Sequence, residues 1–140
     1  MNLLSTVLIF ATQKHGDQKD KAGKRYILHP IRVMLNFEDE KEQITALLHD
    51  VMEDTGTTVQ ELEALSIPQD VIDALLILTH DKSIDYDEYI TKIMTNELAC
   101  KIKEADLMDN MNLERLPVIK EEDLDRLQKY QRSLQRILSK

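Results

Sequence analysis

An all-α fold follows from three features of the sequence. Apolar residues recur at three- and four-residue intervals in most long segments, no stretch alternates at the two-residue period of a strand, and the glycines and prolines fall between the periodic segments. The chain has 140 residues, 42% of them hydrophobic. That suits one domain over residues 1–140, a compact helical bundle able to bury its core without disulfides.

In chain order, Leu3, Leu4, Val7, Leu8 and Ala11 form a first helical stripe. Gly16 and Gly23 bracket a polar loop, and Pro30 is placed to open a helix at its first position. Ile44, Leu47, Leu48 and Val51 form the next stripe, on a helix that Gly56 ends. Pro68 starts another, marked by Val71, Ile72, Leu75 and Leu76, and Tyr86, Tyr89, Ile90 and Ile93 continue the pattern. Leu98, Ile102, Ala105 and Leu113 mark the penultimate helix. Pro117 separates it from a last helix of about Glu121 to Lys140, carrying Leu124, Leu127, Leu134 and Ile137.

Composition narrows the function. A net charge of −8, with the acids spread along the chain, disfavours a nucleic-acid surface. No apolar run approaches the roughly 20 residues of a membrane span, and the apolar start lacks the basic leader and cleavage site of a signal peptide. The mature chain is therefore expected to begin at Met1 and to act without a membrane. One cysteine, Cys100, allows no internal bridge; a small buried hydrophobe in a reducing, cytoplasmic setting is the simplest reading. From Lys14 to Arg25 five cations oppose two acids, a local basic loop able to receive an anion.

Within ALLHDVMEDTG, helical periodicity puts His49 next to Glu53 and Asp50 next to Asp54, all four away from the apolar stripe. A solvated face is the ordinary explanation of such a cluster taken alone. On the penultimate helix, Asp106 and Asp109 fall on or beside the apolar stripe, where an ionised carboxylate needs a cation or several hydrogen bonds. A divalent metal would satisfy that need, whereas Asp109 alone reads as a helix-end acid turned to solvent. In YILHPI, Pro30 favours an extended His29 just outside a helix start. A lone histidine is more often a cap or a packed core residue, and His15 and His80 are read that way.

His29, then His49 and Asp50, then Asp106 give the ordered pattern H…HD…D, which resembles the HD superfamily of metal-dependent phosphohydrolases. KAGKRYILHPIRV, ALLHDVMEDTGTT and KEADLMDNMNLERL further resemble, in order, three motifs of the alarmone hydrolases. That family includes the hydrolase half of the bifunctional RelA/SpoT enzymes and small stand-alone relatives that cleave guanosine tetraphosphate and pentaphosphate. The similarity runs from about Ala11 to Leu116.

The resemblance implies one divalent ion, usually manganese, held by His29, His49, Asp50 and Asp106. Iron, cobalt and zinc suit the same nitrogen and oxygen donors. Glu53 and Asp54 match the acidic pair that the family uses to orient and deprotonate the attacking water, Lys21 a lysine near the nucleotide, and Asn110 an asparagine that contacts it. The chain departs from the family in two segments. Asp20 stands where an arginine commonly precedes that lysine, removing a cation and adding a charge that repels an anion, and the frequent D-R-x-H-N pattern reads Asp106, Leu107, Met108, Asp109, Asn110. Lys24 and Arg25, after Gly23, are candidates to compensate.

The expected function is removal of the 3′ pyrophosphate from a guanosine alarmone to give GDP or GTP, with a small nucleotide as the only partner. HD-type chemistry on another nucleotide or phosphate monoester, and a nucleotide-binding regulatory module without turnover, are the alternatives. Nothing in the sequence selects a homo-oligomer.

Overall fold

Helix starts are set by short polar side chains. Asn2, Asp39, Asp85 and Asn96 each accept a backbone N–H three residues on, at 2.8–3.1 Å, and Thr58 and Glu61 form a reciprocal capping box. The computed structural model describes residues 1–139, so Lys140 of the expected last helix lies outside them. Among the described residues there are nine α-helices and no strand: α1 (Leu3–His15), α2 (Leu28–Met34), α3 (Glu40–Leu48), α4 (Val51–Thr55), α5 (Val59–Ala64), α6 (Gln69–Leu78), α7 (Tyr86–Ile93), α8 (Glu97–Asn110) and α9 (Glu121–Leu138). An isolated antiparallel bridge between Lys19 and Arg25 closes the loop after α1. Among the described residues no helix is long and apolar enough to cross a membrane.

Two hydrophobic clusters organise these helices. Val7, Ala11, Leu47, Leu48, Val51, Leu62, Ile72 and Leu75 join α1, α3, α4, α5 and α6. Ile90, Ile93, Ile102, Leu107 and Ile137 join α7, α8 and α9. Each fully buried Leu or Ile contributes roughly 1.5–3 kcal/mol. Met34 of α2 and Leu98 of α8 pack against both clusters, and α2 lies on α3 and α8. That three-helix junction carries His29, His49 and Asp106.

The all-α expectation holds, and the differences from the sequence reading are local. The expected helix through Ile44 and Gly56 breaks after Leu48: Asp50 adopts φ −107° and ψ −2°, and α4 starts afresh at Val51. Glu53 and Asp54 therefore sit on a different helix from the Ile44, Leu47 and Leu48 stripe. Gly56, at φ 69°, takes the left-handed conformation that ends α4. α2 begins at Leu28 rather than at Pro30, so His29 is helical; within a first turn proline's missing N–H needs no partner. Leu124 is 47% exposed, outside the stripe that Ile137 anchors. α5, too short to show a stripe, is announced only by its capping box.

Candidate active site

His29 of α2, His49 at the end of α3, Asp50 at the start of α4 and Asp106 of α8 each bring one nitrogen or oxygen to a common point, the four atoms lying within 4.8 Å of one another. His29 Nε2 lies 2.8 Å and His49 Nε2 3.2 Å from Asp106 Oδ1. Asp50 Oδ2 is 3.0 Å from His49 Nε2 and 3.6 Å from His29 Nε2. The ordinary solvated-face explanation of the cluster taken alone does not hold for His49: His29, His49 and Asp106 are all buried. The break after Leu48 turns the imidazole inward.

The outer contacts fix the rings. His49 Nδ1 donates to the Ala46 carbonyl at 2.6 Å, and His29 Nδ1 meets Asp109 Oδ2 at 2.6 Å, so both imidazoles present Nε2 to the cluster. Asp109 is itself gripped by Arg32 through Nε at 2.9 Å and Nη2 at 3.0 Å, while Arg115 bonds its carbonyl. The reading of Asp109 as a solvent-facing acid is therefore corrected: it is the carboxylate behind His29. Lys103 donates to Asp106 Oδ2 at 2.9 Å, leaving Oδ1 for the histidines and for Asn110 Nδ2 at 3.1 Å. Tyr26 donates its hydroxyl to Asp50 Oδ2 at 2.5 Å.

Electrostatics follow this packing. Burial alone would lower both histidines, but Asp106 and Asp109 reverse the effect at His29, and Asp50 and Asp106 reverse it more strongly at His49, leaving both raised. Burial would raise the carboxyls, yet His49 holds Asp50 below, and Lys103 with His49 holds Asp106 well below, the usual carboxylate range. Burial likewise opposes, and His29 and Arg32 outweigh it at, a depressed Asp109. Two anionic carboxylates and two imidazoles, oriented and largely dry, can hold a metal ion, and their chemistry suits a borderline divalent one.

Glu53 and Asp54 follow on α4. Glu53 Oε1 accepts the His80 N–H at 2.9 Å, and Lys82 Nζ lies 3.5 Å from its Oε2. Asp54 Oδ2 accepts from Gln18 Nε2 at 3.1 Å; its carboxyl is raised, first by partial burial and then, against Gln18, by the Asp50 charge. Such a shift favours a group that must take up a proton.

A cavity of about 410 Å³ borders His29 and Asn110. Its wall carries Lys19, Lys21, Arg32, Arg115 and Arg126, with the rings of Tyr26 and Tyr130 and the side chains of Leu113 and Leu127. The mixture suits a charged ligand with a flat apolar part. Lys21 and Asn110 both line this cavity. Lys24 and Arg25 do not line the cavity, and Arg25 turns to Asp17 instead, at 3.4 Å. Asp20 borders it, but its Oδ1 accepts the N–H groups of Ala22 and Lys24, both at 2.9 Å, so the residue braces the loop. Sequence reasoning missed Arg32, Arg115, Arg126, Lys103, Tyr26 and Tyr130. Tyr26, Arg32, Lys103 and Arg115 lie inside the three motifs, which was their only local signal.

No family model matches the chain. Over 58 residues it is 48% identical to a guanosine-3′,5′-bis(diphosphate) 3′-pyrophosphohydrolase of Aquifex aeolicus, an overlap covering 39% of this chain and 8% of that protein. It is 44% identical over 78 residues to the guanosine-3′,5′-bis(diphosphate) 3′-pyrophosphohydrolase MESH1 of Danio rerio, covering 46% of this chain and 43% of that protein. It is 41% identical over 71 residues to the GTP pyrophosphokinase rsh of Brucella ovis, covering 48% and 10%. The matches thus span less than half of each of these curated relatives. The solved structure of a metazoan ortholog of SpoT, described as hydrolysing ppGpp, superposes with a TM-score of 0.77 at 28% identity, covering 99% of this chain and 86% of that one. The chain is therefore similar, in sequence and in its all-helical fold, to the HD-type alarmone hydrolases that its motifs resemble.

Proposed function

We propose that residues 1–140 form one divalent-metal-dependent phosphohydrolase that removes the 3′ pyrophosphate from guanosine tetraphosphate or pentaphosphate. The convergence of His29, His49, Asp50 and Asp106 within 4.8 Å carries this reading, and the nearby acids and the cationic cavity support it. Those four residues would hold the ion, with manganese the preferred occupant. When bound, it supplies a Lewis acid that neutralises phosphate charge and acidifies water.

The chain's own groups supply the rest. Glu53, fixed by the His80 N–H, orients the attacking water, and Asp54, with its raised pKa, accepts the water's proton. The water oxygen forms a bond to the 3′-linked phosphorus and the bond from phosphorus to the ribose 3′ oxygen breaks; that oxygen takes a proton, and GDP or GTP leaves with pyrophosphate. Lys21, Asn110 and the cavity arginines bind the nucleotide, while Tyr26 and Tyr130 offer faces to the base. Arg32 and Arg115, which also pair with Asp109, and Arg126, which also pairs with Asp123, bring guanidinium groups to the cavity where the Asp20 position lacks one. We place the reaction in the cytoplasm, in keeping with the one buried cysteine, Cys100.

The test incubates the manganese-loaded protein with both alarmones, common nucleotides and nucleoside monophosphates, and resolves products by ion-exchange chromatography. Pyrophosphate release confined to the alarmones is the expected result. Preferential cleavage of monophosphates would move the activity to another substrate, and no cleavage at all would remove the enzymatic reading.

A further inference from the structure

Outside the cavity lining stands a second group of cations, two of them over the Tyr86 ring and one beside Glu53. Lys129 Nζ on α9 lies 4.0 Å from the Tyr86 ring centroid, and Lys103 Nζ on α8 lies 5.9 Å from it. Lys82, in the loop leading to α7, reaches Glu53, and its neighbour His80 sets its ring 6.0 Å from that of Tyr86. Lys103 and Lys82 are thus tied to Asp106 and Glu53, residues of the reacting centre. Lys129 differs: the charged groups that act on it, Lys103, Lys82 and Arg132, are all cations, and burial followed by those charges lowers its pKa. Gathering like charges is unfavourable unless an anion joins them.

The proposed substrate needs such a place. A 3′ diphosphate extends one phosphate beyond the phosphorus that water attacks, and Glu53 and Asp54 beside that centre would repel it. We propose that Lys82, beside Glu53, and Lys129, over the Tyr86 ring that Lys103 links to Asp106, seat the distal phosphate of the 3′ diphosphate and hold pyrophosphate after cleavage. The inference rests on the alarmone reading and deepens it, since a 3′ monophosphate has nothing to place there. Its consequence is selection for a diphosphate ester by two lysines that never touch the nucleoside cavity.

Calorimetric titration of the manganese-loaded protein with inorganic pyrophosphate and with orthophosphate tests it without turnover. Loss of one charge-assisted hydrogen bond in Lys129→Met is expected to weaken pyrophosphate about tenfold, to change orthophosphate less than about twofold, and to be largely restored in Lys129→Arg. Unchanged pyrophosphate affinity in Lys129→Met, or equal loss for both anions, would overturn the seat. Because the readout is binding, this proposal can fail while alarmone cleavage stands, and a wild-type protein that cleaves no alarmone yet shows the tenfold difference would retain the seat and lose the substrate.

Discussion

Removing the carboxylate of Asp109 is expected to weaken the metal cluster without touching a ligand. In Asp109→Ala, His29 Nδ1 loses its 2.6 Å partner and Arg32 loses two contacts at 2.9 and 3.0 Å. Hydrogen bonds to charged groups contribute about 1.5–3 kcal/mol each. Arg32 is 30% exposed and recovers water, so most of the effect falls on the 4%-exposed His29. A released imidazole can rotate or change tautomer, and loss of such an outer partner costs about 10–100-fold in metal affinity, which is about 1.4–2.8 kcal/mol. Manganese titration by calorimetry measures it directly. Asp109→Asn, which keeps an acceptor oxygen but not the charge, should fall between wild type and alanine. An Asp109→Ala protein that binds manganese within about twofold of wild type would refute the reasoning.

Other outcomes follow from the same geometry. Glu53→Gln should retain manganese and lose most of its rate, about 10²–10³-fold for a water-orienting or general-base group; a metal-loaded variant with near-normal turnover removes Glu53 from that role. Leu47→Ala, at a fully buried position in the cluster joining α1, α3 and α6, should lower unfolding stability by about 2–5 kcal/mol in denaturant titration. The Glu61 carboxyl is lowered by its bond from Lys14 at 2.6 Å, and a lowered folded pKa stabilises above the unfolded carboxyl value and is lost as pH falls through the folded one. The difference in melting temperature between wild type and Glu61→Gln, which preserves the helix cap, should therefore shrink from pH 6 to pH 3.

The sequence was most legible where one helix face decides the outcome. Val7 and Ala11, Leu47 and Leu48, Ile90 and Ile93, and Ile102 are all buried as their spacing required. Ligand candidates were legible because residue type and order limit the chemistry: His29, His49, Asp50 and Asp106 do converge, although periodicity alone would have turned His49 to solvent. The break between α3 and α4 had no local mark, since no glycine or proline interrupts Ile44 to Thr55; tertiary contacts with α2 and α8 decide it. Arg32, Arg115 and Arg126 escaped notice for a related reason. Each reads as an ordinary surface cation until α2, the segment after α8, and α9 are brought to one cavity.

The hydrogen bonding of Asp106 bears on which cation the cluster suits. Oδ2 accepts from Lys103, while Oδ1 faces the Nε2 atoms of His29 and His49. The carboxylate therefore has one oxygen to offer a shared ion rather than two. Calcium takes about six to eight oxygen ligands and often grips a carboxylate by both oxygens, so two imidazoles beside a carboxylate limited to one oxygen favour a smaller transition ion by geometry as well as by donor type.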